Sequence, residues 1–288
     1  MVKVQKVKKY CIGIDVGGTK MNAVLFNGTK VIADYVLATP QDNLEHFLIM
    51  LKALIEPLQE KAKNDKIKIN GIGMGVAGVL DSEGRKMLHS PNLPIINGVK
   101  VADKLEELIG VPVRLDNDAD AFVRAEAMIG AGQGYDSVYG ITVGTGIGGG
   151  WWINNDVHNG SHGGAGEVSD TIIDLSSGLT LEETYQKLTQ NNPAKLAQEA
   201  YRGDPLAEQV YEEIGAFFGI ALANIVNLID PEVFVIGGSV ADSSDLFFST
   251  LKKNMKERIE SSEAAKKVKV LKSKLGKDAG AIGAACLV

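Results

Sequence analysis

Two stretches of this chain share one pattern, and that pattern limits the folds open to it. "YCIGIDVGGTKMNAVLF" (10–26) is an apolar run, a glycine-rich turn and a second apolar run. "SVYGITVGTGIGGGWWI" (137–153) repeats it. Each reads as strand, turn, strand. Each opens a stretch in which helical and buried-strand patterns alternate, so two related α/β halves are expected.

The intervening patterns fit. "KVIADYVLA" continues the first hairpin as a third strand. Leu44, Phe47, Leu48, Leu51, Leu54 and Ile55 recur at helical spacing. "INGIGMGVAGVLD" is a buried strand running into a glycine loop that contains Gly78. "GVKVADKLEELIG" is a helix stopped by Gly110. "VPVRLDNDADAFVRAEAMIGAG" is a strand, a polar corner and a helix. A long helix is expected from about Asp204 to Ile229, with Pro205 at its start and Pro231 past its end. "VFVIGGSV" then gives a third strand and glycine turn.

Composition narrows the function classes. The net charge of −6, with no offsetting Lys/Arg cluster, argues against non-specific nucleic-acid binding. The basic "MVKVQKVKK" precedes an apolar run too short for a signal-peptide core. No run of about 18 apolar residues exists, so no membrane span is expected. Cys11 and Cys286 are the only cysteines, which gives neither a disulfide framework nor a thiolate zinc site. A soluble cytoplasmic protein is expected.

The glycine turns carry the chemistry. Glycine permits positive φ and lets a ligand approach backbone N–H groups. Successive N–H groups in such a turn form an anion-binding concavity. Thr19 and Thr145 can add hydroxyl donors to phosphate oxygens, and Asp15 can hold Mg²⁺, directly or through water. The alternative is that each is an ordinary hairpin turn. They are neither Walker A loops nor G-x-G-x-x-G turns opening a helix, because here the glycines join two strands.

"IGIDVGGTK" resembles the first phosphate motif of the ROK family of sugar kinases, within the actin/hexokinase/Hsp70 superfamily. "SPNLP" (90–94), "LDNDADAFVRAEAMIGAG" (115–132), "GTGIGGGWW" (144–152), "GGAGEVSD" (163–170) and "DPEVFVIGGSVA" (230–241) follow in the family's order. The resemblance implies two actin-like (ribonuclease H-like) α/β domains flanking a cleft, with ATP and Mg²⁺ as cofactors, a small-molecule sugar as substrate, and a homodimer. It places the domains at 1–117, completed by a C-terminal helix at 277–288, and at 118–276. Asp15, Gly17, Gly18, Thr19 and Lys20 match the first phosphate loop, Gly144, Thr145 and Gly146 the second, and Gly237 and Gly238 the adenosine-side turn. Asp118 falls where the family has its catalytic base, and Gly78, Asn92, Asn117 and Glu167 fall on sugar-binding positions.

The physical case for such a base stands beside the resemblance that places it at Asp118. A sugar hydroxyl is a poor nucleophile, and a carboxylate within hydrogen-bond reach orients it and accepts its proton. Asp118 also stands just before a helix, where Asp caps well, though Asp116 or Asp120 could serve there.

The chain departs from the family after Glu167. Ser169 and Asp170 replace a glycine and a histidine, and the zinc-binding cysteines are absent, so no zinc site is expected. The final sugar-binding glutamate is Glu183 or Glu182; "ETY" favours Glu183 and "LE" favours Glu182, with Glu183 preferred. Asp170 offers only acceptors when ionised, which suits a free hydroxyl or amine better than an acetamido carbonyl; alternatively it caps a neighbouring turn. The activity expected is phosphorylation of the 6-hydroxyl of a hexose, with glucose the leading substrate. The alternatives are an N-acetylmannosamine or other amino-sugar kinase, or a sugar-binding pseudokinase. A family-type transcriptional regulator, which needs a winged helix before the phosphate loop, is not expected with Asp15 so near the start of the sequence.

Overall fold

A computed structural model describes residues 9–288. All but the last residue of the basic N-terminal stretch lies outside them. The chain divides into two units: one runs up to Ala125 and takes in Asp278–Val288, and the other is Glu126–Lys277.

In the first unit, strands β1 (Tyr10–Val16), β2 (Lys20–Phe26) and β3 (Val31–Ala38) form an antiparallel meander. Helix α1 (Leu44–Asn64) follows, then β4 (Ile69–Val76), which lies parallel to β1. A small hairpin of β5 (Val79–Leu80) and β6 (Met87–His89) leads to α2 (Val101–Ile109), β7 (Val113–Asp116) and α3 (Asp118–Ile129). The sheet order is β3-β2-β1-β4-β7. Asn43 caps α1 by accepting the His46 N–H, and α2 ends at Gly110 in the left-handed region (φ 70°).

Side-chain alternation along the strands separates the two faces of this sheet. Ile12, Ile14, Ile72 and Met74 join a core with Phe47, Leu51, Leu54, Ile55 and Leu58 of α1 and Leu105 of α2. The opposite face carries Gly13, Gly73 and Gly75.

The second unit repeats the plan. β8 (Ser137–Val143), β9 (Ile147–Ile153) and β10 (Asp156–Val157) form the meander. A short hairpin, β11 (Ile172–Asp174) and β12 (Leu179–Thr180), precedes α4 (Leu181–Thr189), α5 (Pro193–Tyr201) and α6 (Pro205–Ile229). β13 (Val233–Gly237), α7 (Phe248–Lys256), α8 (Ser262–Lys267) and β14 (Lys269–Lys272) complete it. The sheet order is β10-β9-β8-β13-β14, with β13 parallel to β8 and to β14. Both units thus share one sheet plan, as the repeated hairpins suggested, and it is the ribonuclease H-like plan that the resemblance implied.

Helix α6 is long and apolar enough to cross a membrane by length and composition, which the search for an apolar run did not register. Tyr211, Ile214, Phe218, Leu222 and Val226 bury one side of it in the core of the second unit. Gly215 and Gly219 let the α7 backbone approach closely, since a Cβ at either would press on the carbonyls of Phe247 or Leu251. Asp204 caps α6 through the N–H groups of Leu206 and Ala207.

The expected boundary before Asp118 lies instead inside α3, between Ala125 and Glu126. Ala121 packs on Gly75 and Gly283 of the first unit. From Glu126 onward the bonding partners change: its buried carboxylate accepts from Ala131 N, Ser273 Oγ and Leu275 N of the second unit. The chain returns at Asp278, and α9 (Ala279–Ala285) covers the glycine face of the first sheet. A Cβ at Gly13 would run into the Ala281 carbonyl, and one at Gly73 into the Ala284 carbonyl.

Gly73→Ala should therefore cost about 1–3 kcal/mol, the usual range for overpacking a tight site. A lowered urea midpoint at unchanged m-value would show it; an unchanged midpoint would mean that α9 shifts freely.

Candidate active site

Asp15 ends β1 at the first glycine turn. The turn closes with Gly17 N donating to Lys20 O at 3.0 Å, and Thr39 Oγ1 donates to the Gly17 carbonyl at 2.7 Å. Gly18 lies beside Asn92, whose loop is anchored by buried Ser90 donating to Ala77 O. Thr19 and Lys20 are exposed at the turn.

Asn117 provides the cap of α3. Its Oδ1 accepts the N–H groups of Ala119 (2.8 Å) and Asp120 (3.3 Å), and its Nδ2 donates to Gly78 O at 3.1 Å. The amide expected to hold sugar hydroxyls is thus engaged with the helix and the Gly78 loop. Asp118, the first residue of α3, is relieved of capping and keeps a partly open surface. Gly75 admits this helix end, since a Cβ there would stand 3.3 Å from Ala121 Cβ and 3.6 Å from Asp118 Cα. Gly280 similarly leaves room for the Asp15 carboxyl, whose Cγ would lie 2.9 Å from an added Cβ.

The two carboxyls disturb each other. Burial and then the Asp118 charge push Asp15 up to about 7, against the pull of Lys20. Burial also raises Asp118, with the nearby Asp116 charge adding to it and backbone N–H groups of Ala119 and Asp118 opposing it. Arg124 donates to Asp116 Oδ2 at 3.0 Å, an ion pair the sequence reading did not anticipate.

In the second unit, the turn between β8 and β9 carries Gly144, Thr145 and Gly146, with Gly144 N donating to Gly146 O at 2.9 Å. Gly238 stands against the Val143 backbone at the root of this turn, so the second and third glycine turns lie side by side. Gly238 has φ 86°, whereas Gly17, Gly18, Gly144 and Gly146 keep negative φ. At Gly17 and Gly146 the missing side chain leaves room instead, since a Cβ would stand 3.2 Å from Lys20 O or from the Glu182 carboxylate oxygens. Gly237 is buried at the end of β13.

Glu167 and Asp170 bracket a 3₁₀ turn, Val168–Asp170. Residues three apart eclipse in this geometry, so both positions fall on one side. Both residues are exposed, and the Asp170 carboxylate accepts no hydrogen bond from the described residues, which leaves no capping role for it. The turn is held by Tyr139, whose hydroxyl donates to Gly166 O at 2.6 Å. The segment that replaces the family's cysteine-bearing loop is the β11–β12 hairpin. Asp174 staples its turn by accepting from Ser176 N, Ser176 Oγ and Ser177 Oγ.

Glu183 and Glu182 are engaged differently. Glu183 is exposed, and its carboxylate accepts the Thr180 N–H in a reciprocal capping box at the start of α4. Thr180-Leu-Glu-Glu183 is the S/T-x-x-E signature, a signal already present in the sequence. Glu182 instead reaches the second glycine turn, accepting the Ile147 N–H at 2.8 Å.

The ROK family model matches residues 11–174 and 170–288. A glucokinase of Streptomyces coelicolor is 26% identical over 314 residues, covering 96% of each chain. An N-acetyl-D-glucosamine kinase of Photobacterium profundum is 30% identical over 304 residues, covering 96% of this chain and 98% of its own. The crystal structure of a ROK family glucokinase from Streptomyces griseus, in complex with glucose and AMPPNP, superposes with a TM-score of 0.80 at 28% identity, covering 97% of this chain and 99% of that one.

The raised Asp15 pKa has a measurable consequence. Its folded value near 7 exceeds the ordinary unfolded value of about 3.9, so stability is fully present below the unfolded value and declines as pH rises toward 7. Asp15→Asn removes that penalty. Its Tm, measured with EDTA and without nucleotide, should exceed the wild type by about 2–6 °C at pH 8, and by much less at pH 4. An equal gain at both pH values would detach the effect from ionisation.

Proposed function

We propose, from the premise that the chain belongs to the ROK family, that it is an ATP-dependent sugar kinase transferring the γ-phosphoryl group to the 6-hydroxyl of a hexose, with glucose the leading substrate. The observation that carries this reading is Asp118: a carboxyl with a raised pKa at the start of α3, released from capping by Asn117. As the sugar oxygen forms its bond to the γ-phosphorus, the bond to the departing nucleotide oxygen breaks, and Asp118 accepts the hydroxyl proton. The first unit supplies this base, next to Asn117, which bonds the Gly78 carbonyl. The second supplies the paired turns around Gly144–Gly146 and Gly238 as a phosphate cradle.

Mg²⁺ fits the donor set. Asp15 and Asp118 oppose each other's ionisation, and a dication beside Asp15 would relieve that opposition. Bound with the nucleotide, it neutralises charge on the transferring group. A homodimer in the cytoplasm belongs to the same reading.

Glucose is favoured over acetamido sugars by Asp170, an acceptor without a hydrogen-bond donor among the described residues, standing on the same side as Glu167. An amino-sugar kinase is the second reading, supported by the 30% identical N-acetyl-D-glucosamine kinase.

A coupled ADP-release assay across hexoses and acetamido sugars tests the reading. Glucose or glucosamine should give the highest kcat/KM, and a preference for an acetamido sugar would establish the second reading. Sugar binding without ADP release would mark a pseudokinase. Asp118→Asn should lower kcat roughly 10²–10⁴-fold with sugar affinity largely kept; activity within threefold of wild type would place the base elsewhere. Asp170→Ala should lower kcat/KM for glucose more than for N-acetylmannosamine, and equal retention of both would make Asp170 a bystander.

A further inference from the structure

The second glycine turn already holds an anion, and it is the protein's own. Glu182 Oε2 accepts the N–H of Ile147, the residue directly after Gly146, at 2.8 Å. Gln186, one helical turn along α4, donates to Glu182 Oε1 at 2.8 Å. Tyr185 of the same helix donates its hydroxyl to the Gly144 carbonyl at 2.8 Å. A Cβ at Gly146 would stand 3.2 Å from each carboxylate oxygen, so the missing side chain is what seats the carboxylate against the turn. The start of α4 does not need Glu182, because Thr180 and Glu183 cap it. Backbone N–H groups of such turns hold phosphate oxygens by the same charge-assisted bonds that hold this carboxylate.

We propose that Glu182 is an internal competitor for the second phosphate turn: its carboxylate occupies the Ile147 amide until a nucleotide phosphate displaces it. The identity of the nucleotide rests on the kinase reading; the contact itself does not. With the site empty, Glu182 and Tyr185 hold an amide and a carbonyl of the turn, so its shape is kept. When a phosphate arrives, the amide is exchanged from one anion to another, and Gln186 retains the displaced carboxylate close by. Weakly bound anions lose that exchange. Glu182 thus acts as a positioning residue that sets nucleotide affinity.

Calorimetric titration with Mg²⁺–AMPPNP, and separately with pyrophosphate, tests this in the absence of sugar. The proteins are wild type, Glu182→Gln, Glu182→Ala and Glu183→Gln. Both Glu182 variants should bind each probe about tenfold more tightly, the scale of one charge-assisted hydrogen bond. Glu183→Gln removes the same charge one residue along, and glutamine preserves the capping box, so its affinity should match wild type. Weaker binding by both Glu182 variants would make the contact a structural clamp and overturn the proposal. Unchanged affinity, or no measurable binding by any of the four proteins, would overturn it equally. Phosphoryl transfer to the hexose panel is read separately. Tighter probe binding without any transfer would sink the kinase reading while supporting the competitor.

Discussion

The first unit depends on one contact that only bare backbone allows. Gly13 and Gly73 on one face of the sheet lie so close to α9 that a methyl group would overlap its carbonyl oxygens. Gly75 gives the start of α3 a tight but not overlapping fit, with an added Cβ 3.3 Å from Ala121 Cβ, and Gly283 brings α9 against the Ala121 carbonyl. The opposite face, with Ile12, Ile14, Ile72 and Met74, is an ordinary aliphatic core under α1 and α2. The bulky face supplies apolar burial, while the bare face supplies proximity. That proximity brings Asp118 at the start of α3 and Asp15 at the end of β1 within range of each other's charge.

Charges so placed oppose stability. Two neighbouring carboxyls, with Asp116 behind them, raise the cost of ionisation, and the Arg124 bond to Asp116 offsets part of it. A sequence optimised only for stability would not cluster acids at the mouth of a glycine turn, so the departure itself points to function. The second unit shows a parallel tension, with Glu182 set on an amide that a phosphate would also occupy.

Much of this was legible beforehand, and the exceptions share a cause. Repeated hairpins predicted two similar sheets, because apolar runs broken by glycine turns are local signals. Gly110 and Asp204 marked helix ends for the same reason. Asn117 was harder, because "DNDAD" contains four residues that can each cap, and only the three-dimensional corner selects one. Glu182 and Glu183 differ by a third of a helical turn, which decides whether a carboxylate faces a phosphate turn or the helix's own first N–H groups. The boundary within α3 was invisible because a helix continues its hydrogen bonding regardless of which core each end serves. Glycine was also ambiguous: among the turn glycines at issue Gly238 needs its φ, Gly17 and Gly146 need room, and a Cβ at Gly18 or Gly144 would meet only ordinary contacts.

The place of α9 in the chain bears on how the protein is made. It packs on β1 and β4, and Cys11 Sγ donates to the Val288 carbonyl, yet the whole second unit is synthesised between these partners. The first sheet leaves the ribosome with its glycine face bare and waits for a helix encoded after Lys277. The second unit, continuous from Glu126, has all its own elements before that helix emerges. Folding during translation therefore runs against chain order: the later unit can finish first, and the earlier one closes only when the final helix returns to it.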